Sequence, residues 1–272
     1  ATDGPAYQLP PCCRGGREMT INKVSFTKNV TEFASGTSQA FGGGVDPNSI
    51  MMAYFLLNLQ ADHGITGDLA EIGVKQGRYL VLMASGLQPG ERLYGIDPYF
   101  DLPEIRNHPA KYVAELVGDI DLQMIFADSL TLDAASLTRS GSPGIRLFHI
   151  DGNHEEPYVL NDLRLADQCL RDGGIIILDD YFHFTGIGVG TAVFEHLIID
   201  NTTDLVPVFA VGAKFYLCHK THVATYQSLF MKTFDKPRSA IMQTTWMKHP
   251  IISASLIGRI PDALNSVQAS KQ

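Results

Sequence analysis

Two short stretches hold the residue types best suited to chemistry. Ile150-Asp151-Gly152-Asn153-His154-Glu155 closes one apolar run, and Leu178-Asp179-Asp180-Tyr181 closes another. If those runs are neighbouring parallel strands, Asp151, Asp179 and Asp180 arrive at one spot. Three carboxylates there make a hard-oxygen set of the kind that suits Mg²⁺, Mn²⁺ or Ca²⁺. His154 sits in the loop above, and an imidazole with an ordinary pKa of about 6.5 accepts a proton near neutrality. The plainer alternatives are a capping or surface role for His154 and a turn role for Asp179-Asp180.

Further acids occupy equivalent places. Glu71-Ile72-Gly73-Val74-Lys75-Gln76-Gly77 follows an apolar run as E-x-G-x-x-x-G. Gly73 and Gly77 let the backbone turn tightly and approach a ligand before a helix begins. The stretch is neither the dinucleotide fingerprint G-x-G-x-x-G nor a phosphate-binding P-loop. Asp97 ends the next run at the distance where an acid accepts hydrogen bonds from a ribose diol, unless it is a turn acid before Pro98. Asp128-Ser129 ends a third run, suited either to an adenine amino group or to capping the next helix.

The elements that must position these residues alternate. Strands are expected at Asp68–Ile72, Arg92–Ile96, Leu122–Ala127, Arg146–Ile150 and Gly174–Leu178, with helices at Tyr79–Ser85, Pro103–Leu116, Thr131–Thr138 and Glu156–Leu170. The last repeats apolar residues at Val159, Leu163, Ala166 and Leu170, the helical period, and stops at Arg171-Asp172-Gly173-Gly174. Such alternation implies an α/β fold, a doubly wound parallel sheet with helices on both faces. After a helix near Thr191–Ile199, the runs Leu205–Val211 and Lys214–His219 flank Gly212-Ala213 as an antiparallel hairpin. Open sheets of this type bind ligands beyond the carboxyl ends of their strands. All five strands reach that edge with an acid.

Residues 1–47, rich in Gly, Pro, Ser and Thr, read as an irregular arm or lid ending near Gly42-Gly43-Gly44. Asp46-Pro47 then caps a helix running to about Asp62. Residues 48–220 form the α/β domain. The extension 221–272 holds one amphipathic stretch and the single Trp246, with no motif that assigns it a role.

The chain has 272 residues, 45% of them apolar, and a net charge of −8. That excludes a disordered chain and argues against nucleic acid as a partner. The longest apolar stretch, Ile50 to Leu57, falls short of a membrane span of about 20 residues. Cys12, Cys13, Cys169 and Cys218 lack zinc spacing and read as thiols in a reducing cytoplasm. Assembly as a homo-oligomer stays open.

Taken in order, these residues resemble the class I S-adenosylmethionine-dependent methyltransferases. The nearest likeness is to metal-dependent O-methyltransferases of macrolide and aminocoumarin sugars, the macrocin type, and more distantly to catechol O-methyltransferase. The resemblance covers about residues 48 to 220. It is carried by LAEIGVKQG, YGIDPYF, FADS, HIDGNHEEPYVLNDL and LRDGGIIILDDYF, with IDGNH and GGIIILDDY together as its specific part. It implies a Rossmann-like, seven-stranded sheet closed by an antiparallel hairpin, binding S-adenosylmethionine. Glu71, Gly73 and Gly77 would lie around its methionine and ribose, Asp97 on the ribose hydroxyls, and Asp128 with Ser129 near the adenine. Asp151, Asp179 and Asp180 would hold Mg²⁺, Mn²⁺ or Ca²⁺, and His154 would be the general base, with Asp151 beside it at the catalytic centre.

The reaction so implied is in-line attack of a small-molecule hydroxyl, on a natural-product sugar or another vicinal diol, at the sulfonium methyl group. Tyr99, Phe100, Tyr181, Phe182 and Phe184 are candidates for an apolar wall beside the acceptor. A rival on the same scaffold is a non-haem iron hydroxylase using His154 and His183, although three carboxylates suit a redox-inert ion better. A second rival is a non-catalytic S-adenosylmethionine-binding protein, which has no physical reason to keep so many charges clustered.

Overall fold

A computed structural model describes residues 26–36, 44–98, 108–234 and 241–256. Among the described residues nine strands form one sheet in the order β3-β2-β1-β4-β5-β7-β6-β9-β8. They are β1 Asp68–Ile72, β2 Leu93–Ile96, β3 Leu122–Ile125, β4 Ile145–Ile150, β5 Leu170–Leu178, β6 Leu205–Val211, β7 Lys214–His219, β8 Ile241–Trp246 and β9 His249–Ala254. The first five pair in parallel, β7 is antiparallel to both β5 and β6, and β8 is antiparallel to β9. The doubly wound sheet with its antiparallel hairpin is therefore as expected. The strand count is not: the tail contributes β8 and β9, and β9 docks parallel on β6.

Helices cover both faces. On one lie α1 (Lys28–Ser35), α2 (Pro47–Asp62), α3 (Arg78–Ala84), α4 (His108–Leu116) and α7 (Val223–Thr233). On the other lie α5 (Glu156–Cys169) and α6 (Ile187–Phe194). The alternation of side chains along β1 divides the core accordingly: Leu69 joins the first cluster, Ala70 and Ile72 the second. Helix α2 begins where expected, with Asp46 accepting from the backbone N–H of Asn48 at 2.8 Å and Pro47 in the first turn. It is apolar nearly all round because it is buried nearly all round.

Three local expectations are corrected. The arm 1–47 is not wholly irregular, since Thr27 caps α1, Gly36 ends it with φ 75°, and Val30, Phe33 and Ala34 enter the core. The stretch Thr131–Thr138 is not an α-helix but two short 3₁₀ turns, Ser129–Thr131 and Ala134–Leu137. Each is begun by an aspartate, Asp128 or Asp133, that accepts from the following backbone. The helix near Thr191–Ile199 starts earlier, at Ile187, and runs into a π-helical turn over Glu195–Asp200. Gly42, Gly43, Tyr99, Phe100, Cys12 and Cys13 lie outside the described residues. Among the described residues no helix is long and apolar enough to cross a membrane.

Candidate active site

Beyond the carboxyl ends of β1, β2, β4 and β5 lies a cavity of about 860 Å³. Glu71, Gly73, Asp97, Asp128, Ser129, Asp151, His154, Asp179 and Asp180 all line it. Strand alternation and a common register thus gather nearly every residue singled out in the sequence. Of the candidate cofactor, carboxylate and base residues, Gly77 alone does not line the cavity. It contributes one step back, as the left-handed residue (φ 78°) from which α3 starts, where a Cβ would come within 2.9 Å of Pro109.

The glycine loop shows why its residue types are needed. Gly73 has φ 86°, and a Cβ there would overlap the carbonyl of Asp151. Asp97 is buried, and its Oδ2 accepts from the backbone N–H of Lys75 at 2.7 Å, so it ties the loop to β2 as well as facing the cavity. Asp128 caps its 3₁₀ turn, accepting from the Leu130 N–H at 3.0 Å, and the Ser129 carbonyl accepts from Asn161 Nδ2 at 3.1 Å. Asp128 therefore caps this turn and also lines the cavity.

Beneath the acids runs a chain of charged and polar groups that sequence reasoning missed in part. Glu71 Oε1 lies 3.1 Å from His149 Nδ1, and His149 Nε2 lies 2.8 Å from Lys214 Nζ. Lys214 Nζ lies in turn 2.6 Å from Asp179 Oδ1. An ammonium only donates, so His149 accepts at Nε2, carries its proton on Nδ1 and donates it to Glu71. Tyr79 of α3 stacks on the His149 ring at 3.8 Å between centroids. Burial first, and then Lys214, hold His149 well below the ordinary imidazole value, so it is neutral. Burial, followed by the charge of Asp151, pushes Glu71 well above the usual carboxylate range. Glu71 Oε2 is buried and has no hydrogen-bond partner among the described residues.

At the cavity mouth, His154 stands between two carboxylates, with Nε2 3.5 Å from Asp151 Oδ1 and Nδ1 3.5 Å from Asp180 Oδ2. The adjoining Asp151 is the largest influence on His154 and, against burial, raises it above an ordinary histidine. Burial lifts Asp151 itself to about 6. Asp179 goes the other way. Burial would raise it, but Lys214 and a hydrogen bond with Asp151 hold it below the usual range.

These placements do not fit the metal expectation. Asp151, Asp179 and Asp180 do converge on one end of the sheet. However, Asp179 is engaged by an ammonium, and Asp180 by His154 and by the Thr185 hydroxyl at 3.3 Å. Among the described residues no three His, Cys, Asp or Glu side chains stand together as a metal-binding group. Lys214 escaped notice because it opens an otherwise apolar strand. The available signal was that lone charge at the start of a hairpin's second strand.

The cavity does fit a nucleoside-type cationic cofactor. It offers an unsatisfied buried carboxyl oxygen at Glu71, a glycine loop that admits no Cβ at Gly73, and acids at the ends of β1 and β2. His183, the second histidine of the oxygenase alternative, contacts Asp180 at 3.8 Å but does not line the cavity.

Comparison with known proteins adds to this. Residues 70–181 match the family model of a methyltransferase domain. The fold is shared with the O-methyltransferase TomG from Streptomyces achromogenes, involved in tomaymycin synthesis and solved in complex with SAM. The identity there is 16%, the TM-score 0.53, and the match covers 72% of this chain and 91% of that one. It is shared with the O-methyltransferase NovP at 15% identity and TM-score 0.54, covering 70% and 88%. A Podospora anserina methyltransferase, PaMTH1, bound to SAH, aligns at 15% identity and TM-score 0.52, covering 73% and 91%. The chain matches no curated protein.

Proposed function

We propose that this chain, whose residues 70–181 match a methyltransferase domain, moves the methyl group of S-adenosylmethionine to a hydroxyl oxygen of a small molecule, with His154 as general base. The observation that carries this reading is His154 itself, standing 3.5 Å from both Asp151 and Asp180 in the lining of a cavity that the glycine loop also lines. The cofactor is an activated electrophile, so the chain's task is to position two reactants, exclude water and take one proton.

Glu71, Gly73 and Gly77 shape the methionine and ribose end. Asp97 faces the ribose hydroxyls, and Asp128 and Ser129 stand on the adenine side. Asp151 orients His154, whose imidazole removes the acceptor's proton as the oxygen attacks. The Mg²⁺ reading of Asp151, Asp179 and Asp180 is not carried into this mechanism, since Lys214 already occupies Asp179.

We assign the acceptor's apolar body to the surface outside the cavity. Tyr181, Phe182 and Phe184 do not line the cavity itself, but Phe184 is 81% exposed and Phe182 and Ile187 are also exposed, close in sequence to Asp180. Tyr181 is a different case. It stacks on Phe215 at 4.2 Å and accepts from the Trp246 indole at 2.8 Å, which pins this wall to the tail hairpin. TomG's link to tomaymycin synthesis supports a natural-product hydroxyl as the substrate class.

The test is methyl transfer from labelled cofactor to a panel of hydroxylated glycosides and catechols. His154→Ala should lower turnover by roughly 10²–10⁴-fold while S-adenosylhomocysteine affinity is kept. Turnover in the unmutated chain should rise with pH through a midpoint above the ordinary histidine value, because only the deprotonated ring accepts. Equal turnover in the two proteins would remove His154 from the mechanism.

A further inference from the structure

The acid cluster already holds a cation, and the chain supplies it. Strand β7 runs antiparallel beside β5 with Leu178 opposite Phe215. One step further along that register, Lys214 stands beside Asp179, on the sheet face that carries Glu71 and His149. Its Nζ is 2.6 Å from Asp179 Oδ1, 2.8 Å from His149 Nε2 and 5.1 Å from the centroid of the Tyr79 ring. Only 4% of the side chain is exposed. The carboxylate and the imidazole take two of the three ammonium protons, and the aromatic face lies against the charge.

A divalent ion at Asp179 would share its carboxylate with a buried ammonium of like sign, or expel Lys214 from an enclosed slot. Neither arrangement is compatible with the contacts just given. The geometry points to Lys214 as a built-in counter-ion, standing where the metal of a metal-dependent O-methyltransferase would be held, so that this chain transfers methyl groups without a divalent metal. The inference rests on the methyltransferase reading above. Lys214 is a positioning residue: it sits on Asp179, Asp179 shares a hydrogen bond with Asp151, and Asp151 stands against His154.

The experiment is a Mn²⁺ titration followed by electron paramagnetic resonance, on the full chain with S-adenosylhomocysteine, for the unmutated protein and Lys214→Met. Methionine keeps the apolar stem in its slot and removes the charge. The expected result is no bound Mn²⁺ in the unmutated chain, EDTA-insensitive turnover, and a Mn²⁺ site gained by Lys214→Met that Asp179→Asn then abolishes. A Mn²⁺ site in the unmutated chain that Asp179→Asn removes would overturn the assignment. A folded Lys214→Met protein that gains no Mn²⁺ would do so too, with folding checked by a thermal shift and Lys214→Gln substituted if methionine does not fold. Absence of any S-adenosylhomocysteine binding would instead sink the methyltransferase reading and leave the Mn²⁺ result to stand by itself.

Discussion

Strand β4 carries two buried ionic clusters, three residues apart, and they are built to opposite ends. At its start, Arg146 is wholly buried and each of its three side-chain nitrogens donates to a buried partner. Its Nε and Nη2 donate to the two oxygens of Glu91 at 2.9 and 2.8 Å, Nη1 to Gln60 Oε1 at 2.8 Å, and Nη2 also to the Gly86 carbonyl at 2.8 Å. Glu91 accepts in addition from the backbone N–H groups of Gly67 and Gln88. At the other end of β4, the Glu71–His149–Lys214–Asp179 chain leaves Glu71 Oε2 without a partner and opens onto the cavity. A closed polar cluster fixes a fold. One left incomplete beside a cavity keeps a group in reserve for a ligand.

The largest effect that tests this contrast is at the closed cluster. Arg146→Ala strands Glu91 in the interior and should cost about 3–5 kcal/mol of stability, measured by denaturant unfolding. Where the variant folds, its affinity for S-adenosylhomocysteine should be unchanged; a selective loss of affinity would break the division of labour.

Glu71→Gln should behave differently. The folded chain holds Glu71 above its unfolded value of about 4.5, so it binds more protons than the unfolded chain once pH exceeds that figure. Glu71 therefore contributes stability at low pH that is lost as pH rises towards its folded value. Glutamine carries no such loss. The variant should match the unmutated chain near pH 4 and exceed it increasingly above, by up to about 1.4 kcal/mol per pH unit. A parallel pH profile for the two proteins would show that Glu71 is ionised in the fold.

The smallest effect sets the baseline. Asp172 and His222 pair at 2.7 Å with Asp172 81% exposed, so His222→Gln should change stability by less than about 1 kcal/mol. A cost approaching that of Arg146→Ala would mean that exposure does not separate these pairs.

Much of the site was legible because strands have a period of two and an end. An apolar run closed by an acid places that acid on the carboxyl edge of a parallel sheet, whichever helix follows. Glu71, Asp97, Asp128, Asp151, Asp179 and Asp180 were found in that way, and all line one cavity. The tail hairpin was hidden for a local reason. Its turn puts Met247 and Lys248 at φ 44° and 74°, a conformation usually announced by Asn-Gly, which this sequence lacks. Helix α1 was masked by Ser, Thr and Gly composition, although Thr27 and Gly36 are ordinary capping residues.

By itself the sequence determined the α/β alternation, the acidic sheet edge, the glycine loop and the histidine above it, since each is a local pattern of residue type and spacing. Only the tertiary structure decided what the acids do. Strand β7 enters the sheet antiparallel against β5, and that pairing carries Lys214 across 34 residues of intervening chain to the side of Asp179. No periodicity encodes such a meeting. It depends on strand order and register, and here it changes a set of carboxylates that reads as a metal site into one that already has its cation.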